Sequence, residues 1–125
     1  MRAVRPRRRH PAGADAERAA ERFLLRSGLT LTARNYHCRY GEIDLIMQHK
    51  FELVFVEVRS RRNRLFGGAA SSVGHRKQRN LIQTAHHYLA YCCTDPQTPC
   101  RFDVVAVTRP EWHIEWIENA FALTD

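Results

Sequence analysis

The chain has 125 residues, of which 44% are hydrophobic and 26% charged, and its formal net charge is +7. That length suits one domain, a single sheet packed by two or three helices. Asp44 and Glu57 interrupt the two longest apolar stretches, so no run approaches the roughly 20 residues of a membrane helix and a soluble protein is expected.

Met1 to His10 has almost no apolar content, and Arg2, Arg5, Arg7, Arg8 and Arg9 carry five of the positive charges; with those taken from +7, +2 remains. Such a segment buries too little surface to offset the entropy of ordering. Residues 1–12 are therefore expected to form a disordered basic arm, and residues 13–125 a single domain. The arm suits nucleic acid; an unselected, solvated start is the alternative. A mitochondrial presequence needs an amphipathic helix, which Pro6 and Pro11 break, and there is no secretory h-region.

Ala16, Ala19, Ala20, Phe23, Leu24 and Ser27 recur at the spacing of one helix face, with Gly28 placed to end it, which predicts a helix over 14–27. Strands follow at 29–37, 42–48 and 53–59, with a turn between the last two. Residues 60–74 are polar, contain Gly67-Gly68 and Ser71-Ser72, and show no periodicity, as in a long functional or mobile loop. Leu81, Ile82, Ala85, Tyr88, Leu89 and Cys92 then form a helical stripe that ends near Tyr91. Arg76, Lys77 and Arg79 open that helix, where cations oppose the macrodipole, so an anionic partner is one explanation for them. After the turn 94–99 come strands at 102–107 and 112–117. The order αβββαββ predicts an α/β sandwich, one mixed sheet with helices on its faces.

Side chains alternate along a strand, so Glu57 and Arg59 share a face, and a hairpin between the second and third strands brings Asp44 beside them. Acids are disfavoured in strands, and departures from local preference concentrate at functional sites. The residues alone leave a structural ion pair with Arg59 open as the alternative. Glu42 has the strand parity of Asp44 but lies at the strand's start.

Asp44 followed by Glu57-Val58-Arg59 resembles the PD-(D/E)xK motif of restriction-endonuclease-like nucleases. The stretches GEIDLI, LVFVEV with basic residues after it, FG, the basic helix start and RFDVV resemble the YraN family of small bacterial proteins, whose fold is similar to that of archaeal Holliday-junction resolvases. The resemblance spans residue 13 to about 107. It implies a restriction-endonuclease-like fold and a Mg²⁺ or Mn²⁺ ion on Asp44, Glu57 and the backbone carbonyl of Val58. By the Gly13-x-x-x-Glu17 spacing it adds Glu17 from the first helix. A homodimer is also implied, because resolving a four-way junction takes two active sites.

Hard oxygen ligands suit Mg²⁺ or Mn²⁺, and Mg²⁺ typically takes only one or two carboxylates. Arg59 departs from the motif, which has Lys there. Lys can orient or deprotonate a water, whereas Arg keeps its proton and offers charge alone. Three outcomes stay open: catalysis without a protein base, a substitute cation such as Lys77 reaching in from the second helix, or a nuclease fold reduced to binding. Phosphates would be held by Arg61, Arg62, Arg64, Arg76, Lys77 and Arg79. Gln78 lies on the Leu81, Ile82 and Ala85 side of its helix, so its amide is expected to face the site and join them; a satisfied buried polar residue is the alternative. Contacts of that kind carry no sequence information.

The cysteines are Cys38, Cys92, Cys93 and Cys100, without a C-x-x-C pair, so reduced thiols in a cytoplasm are the default. His86-His87 and Cys92-Cys93 invite zinc. Adjacent helical residues diverge by about 100 degrees, however, and each doublet puts only one member on a face. The expectation is thus a cytoplasmic, metal-dependent endonuclease-like protein acting on branched, flap or end-containing DNA in repair or recombination. A catalytically silent nucleic-acid-binding module and a protein–protein adaptor are the alternatives.

Overall fold

The structure, a computed structural model, describes residues 11–62, 73–92, 95 and 97–122. The basic arm Met1 to His10, Arg64 and the Gly67-Gly68 and Ser71-Ser72 pairs lie outside the described residues. The elements run α1 (Pro11–Arg26), β1 (Thr30–Cys38), β2 (Gly41–His49), β3 (Glu52–Arg61), α2 (His75–Cys92), β4 (Cys100–Thr108) and β5 (His113–Phe121). The five strands form one mixed sheet in chain order. β3 and β4 are parallel, and every other neighbouring pair is antiparallel. This is the expected α/β arrangement of one sheet with two helices.

Alternation sorts the side chains of the central strands onto two faces. Leu53 and Phe55 of β3, with Phe102, Val104 and Ala106 of β4, pack under Leu81, Ile82, Ala85 and Tyr88 of α2. Val54 and Val56, with Val105 and Val107, pack under Ala16, Ala19, Ala20 and Leu24 of α1. Strands covered on both faces read as continuous apolar runs, which is why LVFV and VVAV carry so few polar residues. Among the described residues, no helix is long and apolar enough to cross a membrane.

α1 begins at Pro11, earlier than residue 14, because proline is tolerated in the first turn, where its missing N–H would have no intrahelical acceptor. Its C-terminus closes as a Schellman motif. Gly28 takes φ +100°, its amide donates to Leu25 O, and the Leu29 amide donates to Leu24 O. Leu24 and Leu29 are both buried on the α1 side, the apolar contact that accompanies this cap.

β5 runs to Phe121, four residues beyond the sequence expectation. Glu118 and Asn119 are poor strand formers, but tertiary contacts override them. The Asn119 amide donates to Asp103 Oδ1 at 2.9 Å, and the Phe121 ring stacks on Phe102 with centroids 4.7 Å apart. Asp103, fully buried on β4, also accepts from Trp116 Nε1 at 2.9 Å and from Arg101 Nε and Nη2 at 3.0 and 3.1 Å. Arg101 in turn reaches Glu52 and Glu118. The acid of the RFDVV stretch is thus a structural tie between β4 and β5. Asp103→Ala would leave an indole N–H and a backbone amide without their acceptor and take from Arg101 the most buried of its three carboxylates; a loss of about 3–5 kcal/mol is expected in urea unfolding, the scale for breaking a buried ion pair.

Candidate active site

The hairpin register places the two motif acids side by side. β2 and β3 pair from His49↔Glu52 to Leu45↔Val56. At the next position the backbone ladder gives way to a side chain, and the Val58 amide donates to Asp44 Oδ2 at 2.8 Å. The alternation of β2 breaks at the same place. Ile43 and Ile46 both pack on the α2 side, whereas Leu45 and Met47 pack on the α1 side. Gly41 starts the strand at φ +151°, with an added Cβ there meeting Thr84 Oγ1 of α2 at 3.4 Å, so the GEID segment runs close against α2.

Glu57 is 4% exposed, and its two carboxylate oxygens have different surroundings. Oε2 faces two cations, Lys77 Nζ at 3.4 Å and Arg59 Nη1 at 3.6 Å. Oε1 is buried and has no hydrogen-bond partner among the described residues. A buried acceptor left unpaired costs about 1–3 kcal/mol, more when charged. Asp44 feels the same environment. Burial first, then the charge of Glu57, hold its carboxyl well above the usual carboxylate range, with smaller pushes from Glu17 and from a side-chain hydrogen bond with Glu57; the Val58 amide opposes them.

The resemblance-derived Glu17 lies close enough to contribute to that field, and the residue that fixes it is one the sequence reading passed over. Asn35 Nδ2 donates to Glu17 Oε1 at 2.9 Å and to the Asp44 backbone carbonyl at 3.5 Å. Asn35 holds φ +52° inside β1, a left-handed conformation that asparagine adopts more readily than most residues. An asparagine in a predicted strand was the available signal. Arg34 beside it pairs with Glu21 through two hydrogen bonds of 2.7 and 2.9 Å. The pair fastens β1 to α1 one helical turn from Glu17.

Of the basic residues expected to hold phosphate, Arg62, Arg76, Lys77 and Arg79 are exposed. Arg61 is placed differently. Its guanidinium lies against Thr108 Oγ1 at 3.3 Å and Glu115 Oε1 at 3.0 Å, tying β3 to β4 and β5. Gln78 donates from Nε2 to Val73 O at 2.8 Å, and its backbone amide donates to Gly74 O at 2.9 Å, so it fastens the entry to α2. The histidine doublet divides as helix geometry requires. His86 is exposed, while His87 is buried and its Nδ1 shares a hydrogen bond with the Tyr36 hydroxyl. Burial and nearby Cys92 raise the pKa of that hydroxyl above the usual phenol range. Cys93 lies outside the described residues.

Among the described residues no three His, Cys, Asp or Glu side chains converge in a metal-holding group. The donor set on offer is two carboxylates. That suits a hard divalent ion that keeps most of its waters, and the orphaned Oε1 beside a carboxyl that resists ionising is the environment a cation would relieve.

A family model described as uncharacterised protein family UPF0102 matches residues 16–107, a span that includes Glu17, Asp44, Glu57, Arg59 and Lys77. A UPF0102 protein of Saccharophagus degradans is 53% identical over 113 residues, covering 90% of this chain and 94% of the relative. One from Nitrosomonas eutropha is 54% identical over 109 residues, covering 87% and 91%. Another, from Nitrosococcus oceani, is 46% identical over 120 residues, covering 94% and 97%.

Because the folded Asp44 carboxyl holds its proton more tightly than the ordinary value of 3.8, the wild type loses stability as pH rises from 3.8 through the raised value. In metal-free buffer at pH 7, Asp44→Asn should therefore be more stable than wild type. That advantage should shrink as pH falls back toward 3.8. Urea unfolding of both proteins across this range checks it, and a wild type more stable than the variant at pH 7 would contradict it.

Proposed function

Since the chain belongs to the UPF0102 (YraN-like) family, we propose that it is a metal-dependent endonuclease-like protein with a restriction-endonuclease-like fold, acting on branched, flap or end-containing DNA in repair or recombination. The observation that carries this reading is Glu57 Oε1, a buried carboxylate oxygen without a hydrogen-bond partner among the described residues, beside Asp44, whose carboxyl is pushed above the usual carboxylate range by burial and by Glu57. An ordinary structural ion pair would instead satisfy both oxygens of the buried acid.

Asp44, Glu57 and the Val58 carbonyl would hold Mg²⁺ or Mn²⁺, with Glu17 as a further acid held by Asn35. When bound, such an ion neutralises phosphate charge, acidifies a water and assists the leaving oxygen. The chain's own groups supply the rest. Water adds to phosphorus and gives up a proton to solvent while the bond to the leaving oxygen breaks and that oxygen takes a proton from solvent; negative charge grows on the non-bridging oxygens in between. Arg59, at the exposed side of Glu57, offsets that charge without exchanging a proton. Arg62, Arg64, Arg76 and Arg79 would hold neighbouring phosphates and thereby select shape over sequence. Arg61, which also pairs with Glu115, would join them from the end of β3. A homodimer would present two such sites to a four-way junction, and a cytoplasmic location fits both the cysteine usage and the substrate.

The test is single-turnover cleavage of labelled linear, flap and four-way DNA in Mg²⁺ and Mn²⁺. Wild type should cut a structured substrate, and Asp44→Asn should not. Arg59→Lys should raise the rate at least tenfold, since a positioned proton acceptor typically contributes about 10²- to 10⁴-fold. An Arg59→Lys protein slower than an already fast wild type would make Arg59 an adapted catalytic residue. If every variant is inert while DNA still binds, the silent binding module is the correct reading.

A further inference from the structure

We infer that Lys77 is a second cation of this centre, brought by α2 to the Glu57 oxygen that Arg59 touches from β3, and that it transfers from Glu57 to a substrate phosphate when the site is loaded. The inference rests on reading Asp44 and Glu57 as a metal-binding pair and adds a residue from outside the strand motif.

Lys77 stands where helix energetics do not favour it. The first turn of α2 contains no acidic residue, and a cation there faces the positive end of the helix dipole. Its backbone is nevertheless fixed, because the adjoining Gln78 is bonded through both side chain and main chain to Val73 and Gly74. A flexible ammonium is thus mounted on a held base.

The distances describe a contact made to be exchanged. Lys77 Nζ and Arg59 Nη1 lie 3.4 and 3.6 Å from the same Oε2, longer than the roughly 2.7–2.9 Å of a charge-assisted hydrogen bond. Their side chains are 48% and 38% exposed, against 4% for Glu57, so both reach from a buried acid to the surface where a substrate would lie. Charge balance gives the direction of transfer. Asp44, Glu57 and nearby Glu17 are three acids set against two cations, Arg59 and Lys77. A divalent ion turns that deficit of one charge into a surplus of one positive charge, and the pentacovalent phosphate of a phosphodiester carries two negative ones. Ion loading therefore weakens the hold of Glu57 on Lys77 as it strengthens the pull of the phosphate.

The probes are Mn²⁺ alone and an unlabelled four-way junction, with the full chain as wild type, Lys77→Gln, Lys77→Arg and Asp44→Asn. In calorimetry without DNA, Lys77→Gln should tighten Mn²⁺ by about tenfold, because a like charge a few ångströms from the ion is removed. Lys77→Arg should stay near wild type. Junction affinity should fall severalfold in Lys77→Gln when Ca²⁺ is present and change by less than twofold in EDTA. Mn²⁺ affinity in Lys77→Gln that is unchanged or weaker, with Asp44→Asn losing Mn²⁺, overturns the role of Lys77 and leaves the metal-binding pair standing. An equal loss of junction affinity with and without Ca²⁺ makes Lys77 a fixed phosphate contact and also overturns it. No Mn²⁺ binding by wild type, or the same binding after Asp44→Asn, overturns the metal-binding pair and this inference together.

Discussion

A carboxylate on a strand covered from both sides cannot be hydrated, and the surroundings of Glu57 follow from that constraint. β3 lies between β2 and β4 and is roofed by α1 and α2. An ion in such a place costs several kcal/mol unless other charges compensate it. Lys77 and Arg59 compensate one oxygen from the rim, and the other, buried, has no hydrogen-bond partner among the described residues. Asp44 could have relieved the crowding by turning away. Its hydrogen bond from the Val58 amide prevents this, so two acids are held together against their mutual repulsion. A fold selected for stability alone gains nothing from that arrangement.

Most of the scaffold was legible because the sheet is local. Short apolar runs bounded by polar breaks gave β2, β3 and β4 to within two residues of their observed ends, and the 3,4 spacing gave both helices. The acidic pair was legible for the same reason, since a tight turn at Lys50 and Phe51 leaves little freedom in the hairpin register. The strict alternation used to read it does not hold, however. Ile43 and Ile46 share a face, and the side chain of Asp44 stands in for a ladder partner where the alternation slips.

What escaped the sequence depends on partners far along the chain. Asn35 matters through a left-handed kink in β1 and through Glu17, 18 residues earlier on α1; neither shows in the local pattern. Arg61 looked like one more cation of a phosphate-binding cluster, yet Glu115, 54 residues later, engages it. Lys77 is the opposite case. Its position against the helix dipole is a local anomaly, visible in the sequence, and the acid beside it explains what the dipole does not.

The order of strands in the sheet is the order of strands in the chain, and only the passage from β3 to β4 leaves the sheet plane, through α2. The β1–β2–β3 meander and the β4–β5 hairpin close short loops, whereas the parallel β3–β4 contact needs the longest closure and belongs to the slow part of folding. Asp44 and Glu57 sit in the first of these pieces and Lys77 on the crossing helix. A nascent meander therefore holds its two acids before the ammonium has docked. During that interval Arg59, on the same strand as Glu57, is the cation already beside the acids, and the packing of α2 adds Lys77 to it.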